Sequence, residues 1–467
     1  MSTRRFGDAT AKELRDGFEG RVIVPEDEGY EGARALFNAM IDKRPAVIAQ
    51  CASVEDVTSA VRFGRARELP TAVRGGGHSV AGTSSVDDGL VVDLRRMNAV
   101  EVDPDARTAR CGGGTTWADL DRATQEHGLA TTGGRVSTTG VAGFTLGGGS
   151  GWLERKHGLA CDNLVAVELV TATGEHVRAS ESENPDLFWA LHGGGGNFGV
   201  ATAFELRLHP VGPTVMAGLM LWPGERGAEV VGAVREVMED APDELALAAV
   251  YLTGPPEEFV PPELQGALCC AAVVFWAGER VEDGEPYAAP FRELAPAVDL
   301  VGPMPYVEFQ RMIDDPPGLR NWWTGDYLDE LSDGAIDVFT SHSERMPVPS
   351  ACQSIMFPWG GQVARVSPDD TPMAKREATW VAHPFVLWER AEDDERHLAW
   401  GRGISADLKR FASGGVYLNF IGSEGQDRVR AAFGDSYDRL TQIKARYDPD
   451  NFFRLNQNIR PALAGVA

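Results

Sequence analysis

The chain is 467 residues long, 43% hydrophobic and 24% charged, an ordinary soluble globular composition. Such a length fits roughly two to four domains of ~100–200 residues. Its formal charge of −25, spread along the chain, argues against nucleic acid or an anionic membrane as partner.

The opening "MSTRRFGDATAKELRDGFEG" has two arginines with no apolar stretch behind them, so no secretory signal is expected. No apolar run reaches ~18 residues, so no membrane span is expected. Residues 30–69 alternate helix and strand signals. "EGARALFNAMI" has helical periodicity and "AVIAQCA" is a short β-rich run. "SVEDVTSAVRFGRARE" then opens with a Ser N-cap and a glutamate at the capping-box position. "GLVVDL" reads as a strand, and "AVEVDPDARTARCGGG" as a hairpin turning at Asp103–Asp105. "TTWADLDRATQEHGLA" is an amphipathic helix closed by Gly128.

Further on, "NLVAVELVTATGEHVRAS" reads as two strands joined by a Thr-Gly turn. "ENPDLFWALHGGGG" is a short helix with Pro185 in its first turn, and "ATAFELRL" an alternating strand. "HPVGPT", residues 209–214, marks a domain boundary. Residues 215 to about 410 carry eight of the eleven tryptophans and mix helices with strands such as "LALAAVYLT" and "ALCCAAVVFWAG". They read as a second α+β domain. From Gly414 the chain gives a strand, "GVYLNF", a helix, "DSYDRLTQIKARY", and the asparagine-rich close "DPDNFFRLNQNIRP".

The six cysteines (51, 111, 161, 269, 270 and 352) show no CxxC spacing, and the nine histidines no HxxxH or HExxH. Buried free thiols in a reducing cytoplasm are expected, and no metal site. Five glycine clusters stand out instead: Gly75–Gly77, Gly112–Gly114, Gly133–Gly134, Gly147–Gly151 and Gly193–Gly199. One cluster alone is most simply a turn. Five within one domain point to a large phosphate-bearing cofactor lying along several loops, where bare backbone amides form anion nests.

"GGGNFG" at 194–199 matches GxGxxG, but a predicted helix precedes it and a strand follows, the reverse of a Rossmann turn. A nicotinamide site is therefore disfavoured. Neither a P-loop nor a GxSxG nucleophile elbow is present.

"RGGGHSVAG", "GLACDNLV", "NPDLFWALHGGGGNFGV", "VYLNF" and "YDPDNFFRLNQNI" stand in one order and spacing. In these the chain resembles the berberine bridge enzyme-like FAD-linked oxidases of the vanillyl-alcohol oxidase superfamily, especially their bacterial hydroxynicotine-oxidase-like branch. The likeness is close over roughly 35–212 and 414–460 and looser between. It implies an α+β protein: a two-subdomain PCMH-type FAD-binding domain (1–212), a substrate domain with an antiparallel sheet (213–412), and a C-terminal segment (413–467) that completes the FAD domain.

The resemblance places FAD on Arg74, Gly75, Gly76, Gly77, His78, Ser79 and Gly82. It continues through Val136, Thr138, Thr139, Gly140, Gly143, Gly147, Gly148 and Gly151, then Asp162, Asn163 and Leu164. Gly199, Val200, Tyr417, Asn419, Asn456 and Gln457 complete the set. It also implies a covalent bond from His78 to the flavin's 8α-methyl group; the alternative is a histidine that only hydrogen-bonds its loop. Many relatives carry a second tether on a cysteine, but Val136 stands there, so attachment through His78 alone is expected. This turns the expectation away from an oligosaccharide substrate.

Tyr417 and Asn419 match the family's "YxN" pair and are the expected catalytic residues, sharing one face if their segment is a strand. As a base Tyr417 needs its pKa lowered by nearby donors; its alternative is a core tyrosine. Phe420 replaces a frequent second tyrosine. Trp323, Tyr327 and Gln362 are pocket-wall candidates, with packing as their alternative.

The expected function is a cytoplasmic FAD-linked oxidase acting on a small organic alcohol, amine or phenolic/polyketide-like molecule, with O2 as acceptor and H2O2 as product. A flavin dehydrogenase, a flavin-binding protein without catalysis and a nicotinamide enzyme are the alternatives. Oligomeric state stays open.

Overall fold

Four short strands, Arg21–Ile23, Val47–Gln50, Leu90–Asp93 and Thr71–Arg74, bond in that spatial order in the computed structural model, which describes residues 8–463. The last three pair in parallel, and their near-continuous apolar burial is what a sheet covered on both faces requires. Helix Val54–Ala66 covers it, capped by Ser53 Oγ, which accepts from Asp56 N at 3.3 Å. The expected glutamate capping box is absent. Asp56 holds the third helical position, and its carboxylate accepts from Glu19 N, Gly20 N and Ala52 N at 2.8–2.9 Å. The helix expected over "EGARALFNAMI" stops at Arg34. Beyond it Phe37 stacks on His78 and Asn38 Nδ2 donates to Asn321 O at 3.0 Å, so tertiary contacts override helical periodicity.

A second sheet, entirely antiparallel, runs Val100–Asp103, Thr108–Gly112, Val200–Arg207, Leu164–Val170 and His176–Ser180. Gly112–Gly114, expected to serve the cofactor, face its backbone: a methyl there would overlap the Met97, Ala201 and Leu94 carbonyl oxygens. Close chain packing, not a ligand, explains that cluster.

The largest sheet has nine antiparallel strands between Thr214 and Trp388. Alternation along them divides the side chains. Met220, Leu247, Ala249 and Ala272 pack against helices Gly227–Glu239, Asp333–Ser343 and Asp394–Leu408. Leu221, Ala248, Val250, Ala271 and Val273 face the first two sheets.

After Gly414 and Gly415, both at positive φ, the expected strand "GVYLNF" does not form: Leu418–Phe420 is a single 3-10 turn. Helix Tyr437–Tyr447 follows, as expected, preceded by an unforeseen helix Gln426–Phe433. Lys444, fully buried, binds Asp448 Oδ2 at 2.6 Å, Asn197 O at 2.6 Å and Phe453 O at 3.0 Å. Asn197 Oδ1 accepts from Ile459 N at 2.9 Å, so the tail is bound back onto the 193–199 loop. Among the described residues no helix is long and apolar enough to cross a membrane.

Candidate active site

A cavity of about 740 Å3 lies between the glycine-rich loops and the inner face of the nine-stranded sheet. It falls within the size range of cofactor and substrate pockets, roughly 300–1,000 Å3. Gly75, Gly76, Gly77, His78 and Ser79 line it, following strand Thr71–Arg74. Gly76 lies so close against Gly140 that a side chain at either would strike the other's backbone. Arg74 turns away from the cavity: its Nη1 donates to Ala33 O and lies 3.8 Å from Asp93. Gly82 stays outside too, its carbonyl accepting from Lys43 Nζ at 2.8 Å.

His78 stacks on Phe37 at 4.1 Å, with its Nε2 3.1 Å from Thr138 Oγ1 and its Nδ1 3.4 Å from Thr139 Oγ1. Burial lowers its pKa to about 4, so the ring is neutral at neutral pH. Thr139, Val136, Gly140, Gly143 and Gly147 line the cavity, whereas Thr138 reaches it only through His78. Gly148 sits behind, against Met373 and Tyr417, and Gly151 N donates to Glu154 Oε2 at 3.0 Å.

Asp162, Asn163 and Leu164 do not reach the cavity. Asp162 is paired with Arg376 at 2.7 Å and accepts from Leu159 N; Asn163 Nδ2 donates to His157 O and Leu159 O; Leu164 begins a strand. Their contacts are internal bracing. Gly199 lines the cavity while Val200 enters the core beside it. Asn456 and Gln457 also line it, Asn456 Nδ2 donating to Gly196 O at 3.0 Å and Gln457 Nε2 to Ile421 O at 3.1 Å.

Five polar atoms of the lining residues, Ser84 Oγ, Arg135 Nε, Trp152 Nε1, Asp315 Oδ2 and Asn456 Oδ1, are buried without a hydrogen-bond partner. Buried polar atoms are normally paired, so a ligand with donors and acceptors of its own fits here. Bare loops, an extended cavity and unpaired polar atoms together suit FAD.

Tyr417 and Asn419 do meet, though through the 3-10 turn rather than by strand alternation. Tyr417 Oη accepts from Gly149 N at 2.8 Å, Ser150 N at 2.7 Å and Asn419 Nδ2 at 3.0 Å. Those donors were expected to lower its pKa. Burial works against them and raises it above the ordinary phenol value.

Of the three wall candidates only Trp323 lines the cavity, packed on Phe385 at 4.8 Å. Tyr327 is buried behind it, edge-on to Trp359 at 5.4 Å. Gln362 begins a short helix, its Oε1 accepting from Arg365 Nε at 3.2 Å.

The sequence reading passed over His383. It lies on strand Trp380–Trp388, lines the cavity, and stacks on Phe420 at 3.9 Å. Its Nδ1 is 2.7 Å from Thr324 O, which fixes the proton there and leaves the Nε2 lone pair without a protein partner. Burial lowers its pKa to about 4. The available signal was a histidine in the otherwise apolar "WVAHPFVLW", on the same strand face as Phe385.

Two family patterns match the chain: FAD binding domain over residues 45–180, and Berberine and berberine like over residues 416–460. The (R)-6-hydroxynicotine oxidase of Paenarthrobacter nicotinovorans is 31% identical over 459 residues, 95% of this chain and 97% of that one. The chain belongs to the berberine bridge enzyme-like FAD-linked oxidoreductases. Within this FAD-linked family, an oxidoreductase of Dictyostelium discoideum is 30% identical over 96% of both chains. The crystal structure of 6-hydroxy-D-nicotine oxidase from Arthrobacter nicotinovorans superposes with a TM-score of 0.85 at 28% identity, covering 95% of this chain and 98% of that one. The FAD-linked family therefore accounts for the glycine cradle, and its PCMH-type α+β fold is the one observed here.

Proposed function

We propose that the protein is an oxidase of a small organic alcohol, amine or phenol, holding FAD covalently through His78 alone. The observation that carries this reading is the free Nε2 of His383, placed in one cavity with the glycine cradle and the Tyr417–Asn419 pair. Bound FAD supplies a hydride acceptor whose electrons pass to O2, giving H2O2. His383 Nε2 takes the substrate's O–H or N–H proton, and its Nδ1–H on Thr324 O holds the ring in that tautomer. Tyr417 positions the Gly149–Ser150 turn and Asn419 beside it.

A neutral His78 has one unprotonated ring nitrogen, the nucleophile that a covalent tether needs, and Val136 offers no thiol for a second. The six cysteines, all buried and free, support the cytoplasmic location included in this proposal; recovery from the membrane or secreted fraction would contradict it.

Anaerobic mixing with substrate should bleach the flavin, and admitting air should restore it with one H2O2 per turnover. Bleaching with slow reoxidation by air would instead make the protein a dehydrogenase. No bleaching across an alcohol, amine and phenol panel would leave a flavin-binding protein without catalysis.

A further inference from the structure

Register across the largest sheet sets one row of side chains facing the cavity: Leu221, Ala271, Val250, Ile355 and His383, one from each of five neighbouring strands. Four are aliphatic and the last carries the free Nε2. Strands lie about 4.8 Å apart, so the row spans roughly 19 Å. The row on one side is Leu219, Val273, Ala248 and Phe357; on the other, Leu252 precedes Gln353 and Phe385. Twelve cavity-facing positions on this floor thus include two polar side chains, Gln353 and His383.

Two charged groups of the cavity, Arg135 and Asp314, are engaged elsewhere. Arg135 binds Glu154 at 3.0 Å, and Asp314 accepts both from Ser137 N and from Ser137 Oγ at 2.6 Å. Asp315 Oδ2 is enclosed without a partner, and burial with Asp314 alongside pushes this carboxyl up to about 7. The mouth carries the exposed Glu257 together with apolar side chains. Phe259 and Leu300, 49% and 40% exposed, are two of the three large apolar side chains left open to solvent among the described residues.

From this floor and mouth we infer that the substrate is a flat, fused-ring hydrophobic molecule bearing a hydroxyl on its edge, lying on the aliphatic row with that hydroxyl at His383. A sugar would leave most of its hydroxyls unpaired against aliphatic side chains, each at about 1–3 kcal/mol. A cationic amine would find no carboxylate on this floor, since the exposed Glu257 lies with Phe259 at the mouth, and an uncompensated buried charge is costlier still. Fused rings, in contrast, gain about 25 cal/mol for every Å2 of apolar surface taken from water.

The inference rests on the oxidase reading for the place of His383, so its test separates binding from turnover. Fluorenone, fluorenol, cellobiose and benzylamine are titrated anaerobically into the flavin-loaded protein, with perturbation of the flavin spectrum reporting binding. Saturable responses are expected for the two fused-ring ketone and alcohol probes, with little from cellobiose or benzylamine. Ile355→Asp should weaken fluorenone at least about tenfold by placing a charge in the floor, while retained flavin absorbance reports that the fold survives.

A saturable fluorenone response without bleaching by fluorenol supports the substrate class and counts against the oxidase reading. Tighter binding of cellobiose or benzylamine, or no saturable response to fluorenone, overturns the inference.

Discussion

His383 and Tyr417 show how burial separates two polar groups in one cavity. Three N–H groups point at the phenol oxygen and favour its anion, while removal from water works against the anion and raises the pKa. The same burial keeps the imidazole unprotonated down to a pH of about 4, which is the state a proton acceptor needs. His383→Gln keeps a hydrogen-bonding side chain but removes the base, and should lower kcat by about 10²–10⁴ with small change in KM. Wild-type activity should fall as pH approaches 4 from above; steady-state pH profiles should show that limb missing in the variant. Neither group's state was legible in the sequence. The "YxN" pattern locates Tyr417, but its pKa depends on packing that no local pattern records.

At the scale of elements, continuous apolar runs made the long strands readable, and "LALAAVYLT" and "ALCCAAVVFWAG" do form neighbouring strands. "VYLNF" failed because β-prone residues there are held by hydrogen bonds to another segment: Tyr417 and Asn419 bind the loop at 144–150. Four of the five glycine clusters touch the cavity, whereas Gly112–Gly114 answer to neighbouring backbone. Spacing alone does not distinguish a ligand from a close-packed chain.

The C-terminal return hangs on Lys444, fully buried between Asp448 and two carbonyls. Lys444→Met leaves Asp448 as an unpaired buried charge and should cost about 3–5 kcal/mol, read as a lower urea midpoint. Because the tail supplies Asn456 and Gln457 to the cavity, flavin retention should fall in the same variant.

Over the whole molecule, burial sets the acid response. His78, His209 and His383 are each held near a pKa of about 4 and His157 near about 3, against an ordinary value of 6.5. Between about 6.5 and 4 these four rings make the unfolded chain take up more protons. Two buried carboxyls, Asp121 and Asp315, each raised to about 7, act in the opposite sense. The four rings outnumber the two carboxyls, so stability present above that window is lost as pH falls through it. Thermal unfolding followed from pH 7.5 to 4 should show Tm dropping mainly below about 6.5; a flat profile there would mean these rings are not enclosed as described.

A glycine cradle, a neutral His78 and an apolar floor meet in one flavin-binding cavity, and His78 is its hinge. Acid precipitation of the purified protein tests the covalent tether directly. The yellow colour should stay in the pellet for the wild type and pass to the supernatant for His78→Ala. Colour released from the wild type would contradict the covalent tether, and a colourless preparation would contradict the site itself.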